Sequence, residues 1–255
     1  AIVESIRAGL VFDLKDEVGV KTIGARESDF VRRAIASWQA NPAIEVLGNT
    51  RAERLSIVSF VVRRSNGRYL HHNFVVAVLN DLFGIQSRGG CSCAGPYGHR
   101  LLGIDVERSH EFEREISHGC EGIKPGWTRV NFNYFISEPV FDYLVRAVHL
   151  TGELGHRLLP QYRFDSTSGL WQHVDGPVEP PLRLTQLAYD SDGRLTYPIH
   201  HDRAPEAALV EYLDHACALL DGLDEPELME TVPGGSADFE QLRWFDVART
   251  SERGS

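Results

Sequence analysis

The segment "LSIVSFVVR", residues 55–63, constrains the fold most strongly because it is apolar and rich in β-branched residues. Such a run is typical of a strand that is buried on both faces of a sheet. A turn, "SNG", separates it from "LHHNFVVAVLNDLFG", whose apolar spacing predicts a helix that ends at Gly84. A buried strand followed by an amphipathic helix predicts a sheet with helices packed on it.

Two more helices are predicted before this strand. In "AIVESIRAGLVFDLKDEVG" the apolar residues recur every four positions and indicate one buried face, formed by Ile2, Ile6, Leu10 and Leu14. No capping residue precedes this helix, which is expected if the sequence is cut from a longer protein. The segment "ARESDFVRRAIASWQ" places a second set of apolar residues on one side, namely Phe30, Val31, Ala34, Ile35 and Trp38.

The later segments complete the predicted fold. A short strand, "IQSRGG", an alternating strand, "WTRVNFNYF", and a long helix capped by Ser137 follow the first helical unit. We therefore predict an α/β fold of α+β type, with a small three- to four-stranded sheet covered by helices, over residues 1–158. Residues 159–223 are predicted to form an extension with a β-hairpin and a helix, and residues 224–255 an acidic, loosely ordered tail, with docking of "FEQLRWF" on the fold as the alternative for that segment.

Composition excludes some partners. The net charge of -10 argues against nucleic acid, because binding to phosphates needs a basic face. No apolar run approaches the roughly 20 residues that span a bilayer, and no signal peptide is visible, so no membrane partner is expected. Four cysteines, unevenly placed, are too few for a disulfide framework in a chain of 255 residues. This cysteine usage favours a reducing, cytoplasmic location.

The stretch "SRGGCSCAGPYG", residues 87–98, is the strongest candidate for a functional loop. Four interpretations of Cys91 and Cys93 remain open: a metal clip, a disulfide, two small buried fillers, or a thiol that faces a ligand. The one-residue spacing is unusual for zinc, and a disulfide is unexpected in a reducing compartment. The neighbouring glycines permit close backbone approach, and Arg88 offers a planar donor group for a carboxylate or phosphate. These neighbours favour a ligand-facing loop.

Two pairs of adjacent histidines, His71-His72 and His200-His201, could also be ligand groups. Adjacent residues on a helix point about 100° apart, so one metal ion is a poor fit for either pair. We therefore interpret both pairs as solvated or helix-capping histidines.

A family resemblance joins these segments. In this order, "SIVSFVV", a helix, "GIQSRGGCSCAGP", "TRVNFNYF" and a long helix resemble the C-terminal (small) domain of class V aminotransferases. These are pyridoxal-phosphate enzymes of fold type I, and they include the cysteine desulfurases. The resemblance covers residues 1–158 and places Cys93 where desulfurases keep their sulfur-accepting thiol. It places Arg129 where the family binds the substrate α-carboxylate, with Arg88 steadying the loop or the ligand.

The resemblance implies a pyridoxal 5'-phosphate cofactor and an amino-acid substrate in a homodimeric parent enzyme. It also implies that this chain is inactive alone, because none of its three lysines, Lys15, Lys21 and Lys124, has the surroundings of a Schiff-base site. No cofactor is therefore expected on the chain itself. An insertion from Gly103 to Lys124 departs from the family pattern. The alternative is a non-enzymatic module that handles thiol or metal through its Cys-x-Cys loop.

Overall fold

The computed structural model describes residues 2–90, 95–176, 183–198 and 204–250. Its helices are α1 (Ile2–Val18), α2 (Val20–Gln39), α3 (His72–Phe83), α4 (Gly95–Leu101), α5 (Val106–Ser117), α6 (Glu138–Leu154), α7 (Ala208–Asp221) and α8 (Ala237–Leu242). Its strands are β1 (Ile44–Val46), β2 (Ile57–Arg63), β3 (Tyr69–Leu70), β4 (Arg88–Gly90), β5 (Trp127–Asn131), β6 (Tyr162–Phe164), β7 (Trp171–His173), β8 (Ala188–Tyr189) and β9 (Leu195–Thr196). The predicted mixed α/β class, with a small antiparallel sheet covered by helices, is confirmed.

The main sheet is antiparallel and has the strand order β1-β2-β5-β4, with β3 also paired to β2. On one side of β2, Val62 lies opposite Ile44 of β1, and on its other side it lies opposite Leu70 of β3. The short strand β3 therefore pairs with the same edge of β2 as β5 does, but farther along that strand. The pairs β6-β7 and β8-β9 are separate two-stranded ribbons, and the second is the β-hairpin predicted within residues 159–223.

The two faces of the sheet differ because side chains alternate along each strand. Val58, Phe60 and Val62 of β2 point into the main core, which they share with apolar residues of α2, α3 and α6. The opposite face carries Ile57, which is exposed, and Val61, which is buried in a smaller cluster. The prediction that this strand is buried on both faces therefore holds at Val61 and fails at Ile57.

Local signals set the helices that cover the core face. All five apolar residues predicted to face inward from α2 are buried. Gly84 adopts a left-handed conformation with φ 65° and ends α3, as its position after the apolar run predicts. Ser137 caps α6 by accepting a hydrogen bond from the backbone N–H of Val140 at 3.3 Å.

Helix α1 differs from its prediction. It forms over the expected residues, but none of them is buried, and the face predicted to be inside is open to solvent. Leu10, for example, is 62% exposed. The periodicity thus correctly predicted an amphipathic helix and wrongly predicted that the described chain covers it.

The C-terminal segment also differs from its prediction. The expectation of a loosely ordered tail is wrong for residues 224–250, because Phe239 and Phe245 are fully buried in the main core. Residues 244–246 run beside β3, where Tyr69 donates its N–H to the carbonyl of Trp244 and accepts one from Asp246. Leu158, Leu159 and Leu213 belong to the same core, so the boundary predicted at residue 158 does not separate two cores.

Among the described residues, no helix combines the length and the apolar character needed to cross a membrane.

Candidate anion-binding site

Arg88 and Arg129 are brought together by the sheet. They are direct partners in the antiparallel ladder between β4 and β5, so their Cα atoms lie roughly 5 Å apart and their side chains share one face. Ser59 of β2 is the partner of Arg129 on its other side. This row lies on the face of the sheet opposite the main core, since the neighbouring Val58 and Val130 point into that core.

The charges of the two arginines are not compensated. Arg88 is exposed, and Arg129 is half-buried with its Nε atom buried and without a hydrogen-bond partner. Within the described parts of the chain, no carboxylate forms an ion pair with either guanidinium. Arginine stays protonated in proteins, and like charges directly opposite on a sheet destabilise it. An anion bound between the two side chains would remove this repulsion.

Glycines fix the position of β4 and therefore of Arg88. A Cβ atom on Gly89 would lie 2.8 Å from Oδ1 of Asn73 and 3.0 Å from Cγ2 of Val76 on α3. Gly126, at the start of β5, would likewise meet the backbone carbon of Gly90 at 2.7 Å. Only residues without a side chain allow the strand to approach α3 and β5 so closely.

Helix α4 covers part of the same face. It packs over Trp127, because a Cβ atom on Gly98 would lie 3.1 Å from the indole Cη2 of that residue. Trp127 lies two residues from Arg129 on β5, so the two side chains stand next to each other on this face. Ser59 and the arginine pair are thus neighbours on this face, beside the buried Trp127. Sequence reasoning identified Arg88 and Arg129 separately and missed Ser59 and Trp127, because cross-strand register is not visible in the sequence.

The predicted thiol residue, Cys93, lies with Cys91 in the segment 91–94, outside the described residues. Of the remaining cysteines, Cys120 is partly buried, and burial raises the pKa of its thiol. In the ranges that the structure describes, no group of three or more histidine, cysteine or acidic side chains is arranged to hold a metal ion. His200 and His201 also lie outside those ranges.

The pair His71-His72 is buried behind β4 rather than solvated. Nδ1 of His71 accepts a hydrogen bond from the N–H of Asn73 at 3.1 Å, so the predicted capping role is confirmed for this residue. Its Nε2 therefore carries the proton and donates to the carbonyl of Gly122 at 3.1 Å. The ring of His72 stacks on that of His71, with a centroid distance of 4.2 Å. Burial lowers the pKa of His72 to about 3, so its ring is neutral.

The lysines do not fit a pyridoxal-phosphate site. Lys15 and Lys21 are exposed on α1 and α2. Lys124 forms an ion pair with Glu121, with 2.6 Å between Nζ and Oε2, and both side chains are substantially exposed. A Schiff-base lysine needs a desolvated pocket or a cationic neighbour to release its proton, and none of the three has either. Among the described residues, none of the three lysines therefore fits a Schiff-base site for this cofactor.

No protein-family model matches the chain, and no curated protein matches it. The resemblance to class V aminotransferases therefore stays a prediction from the sequence.

Proposed function

We propose that this chain is the small-domain side of a divided active site in a pyridoxal-phosphate enzyme of the class V aminotransferase type. Its role is to bind the α-carboxylate of an amino-acid substrate through Arg129, with Arg88 beside it. The cofactor would be held by another domain, where it supplies the electron sink for chemistry at the amino acid. This chain would orient the substrate and contribute no proton-transferring group from its described residues.

The arginine pair carries this proposal. Arg88 and Arg129 lie opposite each other on adjacent strands and have no ion-pair partner among the described residues. A guanidinium group is planar and can bind a carboxylate with two hydrogen bonds. The half-buried position of Arg129 strengthens such a contact, since the local dielectric is lower than in water. Arg88 is the exposed member and can approach the ligand from the edge of the sheet.

The open face of α1 supports the second element of the proposal, a partner domain. Ile6, Leu10 and Leu14 present a continuous apolar stripe, and each is more than half exposed. Large exposed apolar surfaces mark places where another protein surface packs. A second domain that packs on this stripe and holds the cofactor would also bring its catalytic groups close to the amino-acid substrate that the arginine pair binds.

The test is to express the complete open reading frame that encodes this sequence. We expect a protein with the visible absorbance of a pyridoxal aldimine, whereas the chain described here should lack it. Arg129→Gln should raise KM for the amino acid by on the order of 10- to 100-fold, as expected for the loss of a charge-assisted contact. Arg129→Lys should recover part of this loss, and Arg163→Gln, at an exposed arginine on β6, should change nothing.

A colourless full-length protein would overturn the proposal, and so would an unchanged KM in Arg129→Gln. Release of alanine from cysteine, measured against amino transfer, separates the two reaction types. In a desulfurase, Cys93→Ser would abolish sulfur transfer, whereas an aminotransferase would keep its rate. Stoichiometric metal or persulfide on the isolated chain would instead favour the thiol- or metal-handling module.

A further inference from the structure

A cavity of about 420 Å³ lies on the same face of the sheet as the arginine pair, on the far side of Trp127. Its floor is formed by Leu47, which directly follows β1, by Val61 of β2 and by Tyr69 of β3. Its walls come from the end of α4 at Arg100, from the insertion between Gly103 and Lys124, and from Trp244 of the C-terminal segment. The volume falls within the range of roughly 300–1,000 Å³ that is typical of sites for small organic molecules.

The lining of the cavity is mostly apolar. Leu47 and Val61 are buried in their own small cluster, and Phe112 of α5 closes the opposite wall. Trp244 packs edge-on against Tyr69, with 6.3 Å between the ring centroids. The indole N–H of Trp244 already donates to the carbonyl of Ile123 at 3.0 Å, so its polar atom is satisfied. The cavity therefore favours an apolar body beside an aromatic wall.

The charges around the cavity are predominantly positive. Arg100 and Arg108 line it, and neither forms an ion pair with a carboxylate of the described residues. The guanidinium of Arg108 lies over the ring of Phe112, with Cζ 5.7 Å from the centroid, which holds it against the apolar lining. The carboxylate of Glu45 is offset by Arg63, whose Nη1 lies 3.7 Å from its Oε2. Among the described residues, these two cations therefore have no ion-pair partner, in a chain of net charge -10.

We propose that this cavity binds a small organic anion, a carboxylate with an apolar body, at a site separate from the Arg88–Arg129 pair. The apolar part of the ligand packs on Trp244, Tyr69 and Val61, and its carboxylate meets Arg100 and Arg108 at the rim. Arginine suits this role because its planar group matches a carboxylate and stacks on aromatic rings. In this way a function is given to the insertion, which departs from the family pattern, and to the C-terminal segment, which lies beyond the residues that the resemblance covers.

The proposal is tested on the unmodified chain with three probes of equal length: octanoate, 1-octanol and octylammonium. Binding is followed by calorimetry and by the NMR signal of the Trp244 indole N–H. We expect octanoate to bind with one-to-one stoichiometry and to shift that signal. The neutral alcohol should bind on the order of tenfold more weakly, because it lacks the charge-assisted contact. Octylammonium should not bind.

Variants locate the charge and the cavity. Arg100→Gln and Arg108→Gln should each weaken octanoate binding by several-fold and leave 1-octanol unchanged. Ile104→Trp should exclude both, since the larger ring occupies the space of the ligand. Arg163→Gln provides the matched control at a remote exposed arginine. Equal affinity for octanoate and 1-octanol would overturn the proposal, and so would a Trp244 signal that octanoate does not shift. Both measurements use the unmodified chain, so they stay valid even if a variant fails to fold.

Discussion

The buried histidine His72 should make the stability of the fold depend strongly on pH. Its pKa is about 3 in the folded chain because burial opposes the charged form, against about 6.5 in the unfolded chain. Between these values the unfolded chain binds the proton and the folded chain does not, so acid favours unfolding. The stabilisation is complete above about pH 6.5 and is lost as pH falls toward 3. The loss is about 1.4 kcal/mol per pH unit, or about 2 kcal/mol at pH 5.

The perturbation that removes this dependence is His72→Phe. A phenyl ring can keep the stacking on Trp244, where the centroids are 5.8 Å apart. Nδ1 of His72 has no hydrogen-bond partner among the described residues, so no bond is lost there. The free energy of unfolding is measured by urea denaturation at pH 7 and at pH 5 for both proteins. The decrease from pH 7 to pH 5 should be about 2 kcal/mol smaller in the variant than in the parent.

The comparison of two pH values within each protein separates titration from packing. Any strain from the larger ring lowers the stability of the variant equally at both pH values. The neighbouring His71, whose pKa is also lowered by burial, stays in both proteins and contributes to the remaining slope. His215→Gln, at an exposed position on α7, should keep the parent's difference. If His72→Phe also keeps the parent's difference, His72 is protonated or solvated in the folded state and the reasoning is refuted.

Two further predictions test packing. Phe245→Ala should lower the free energy of unfolding by about 3–5 kcal/mol, because the ring is fully buried. Tyr189→Ala, on the exposed strand β8, should change it by no more than about 0.5 kcal/mol. Equal losses for the two variants in urea denaturation would contradict the burial of the C-terminal segment. Gly89→Ala should lower the free energy of unfolding by about 1–3 kcal/mol, since its Cβ would overlap Asn73. Gly24→Ala in α2, with open space around it, should leave the stability unchanged or raise it. Thermal unfolding of the two variants tests both expectations.

The parts of the fold that the sequence predicted are those governed by neighbours along the chain. The buried face of α2 follows from apolar residues at helical spacing. The end of α3 at Gly84 and the start of α6 at Ser137 follow from groups that satisfy the nearest backbone atoms. Each of these features depends on residues within one or two turns, so no knowledge of the tertiary structure was needed.

The pairing of Arg88 with Arg129 could not be predicted in the same way. Forty residues lie between Arg88 and Arg129 in the sequence, and the register depends on how closely β4 can approach α3 and β5. A shift of β4 by one residue would move the side chain of Arg88 to the opposite face of the sheet and separate it from Arg129. The close contacts at Gly89 and Gly126 help to fix that register, and they appear only when the strands are assembled. The site could therefore be predicted as two separate residues but not as a pair.

Average composition failed to predict the burial of the C-terminal segment, and the spacing of apolar residues failed to predict the exposure of helix α1. In the C-terminal segment, acidic residues and a Pro-Gly-Gly-Ser turn dominate the average, yet Phe239, Leu242 and Phe245 recur every three residues and all are buried. Their spacing was a better guide than the average, because burial is decided by the face that a few residues form. In α1 the spacing is equally regular, and the face is exposed. Periodicity therefore identifies a face that needs covering, whereas the surface that covers it depends on the rest of the assembly.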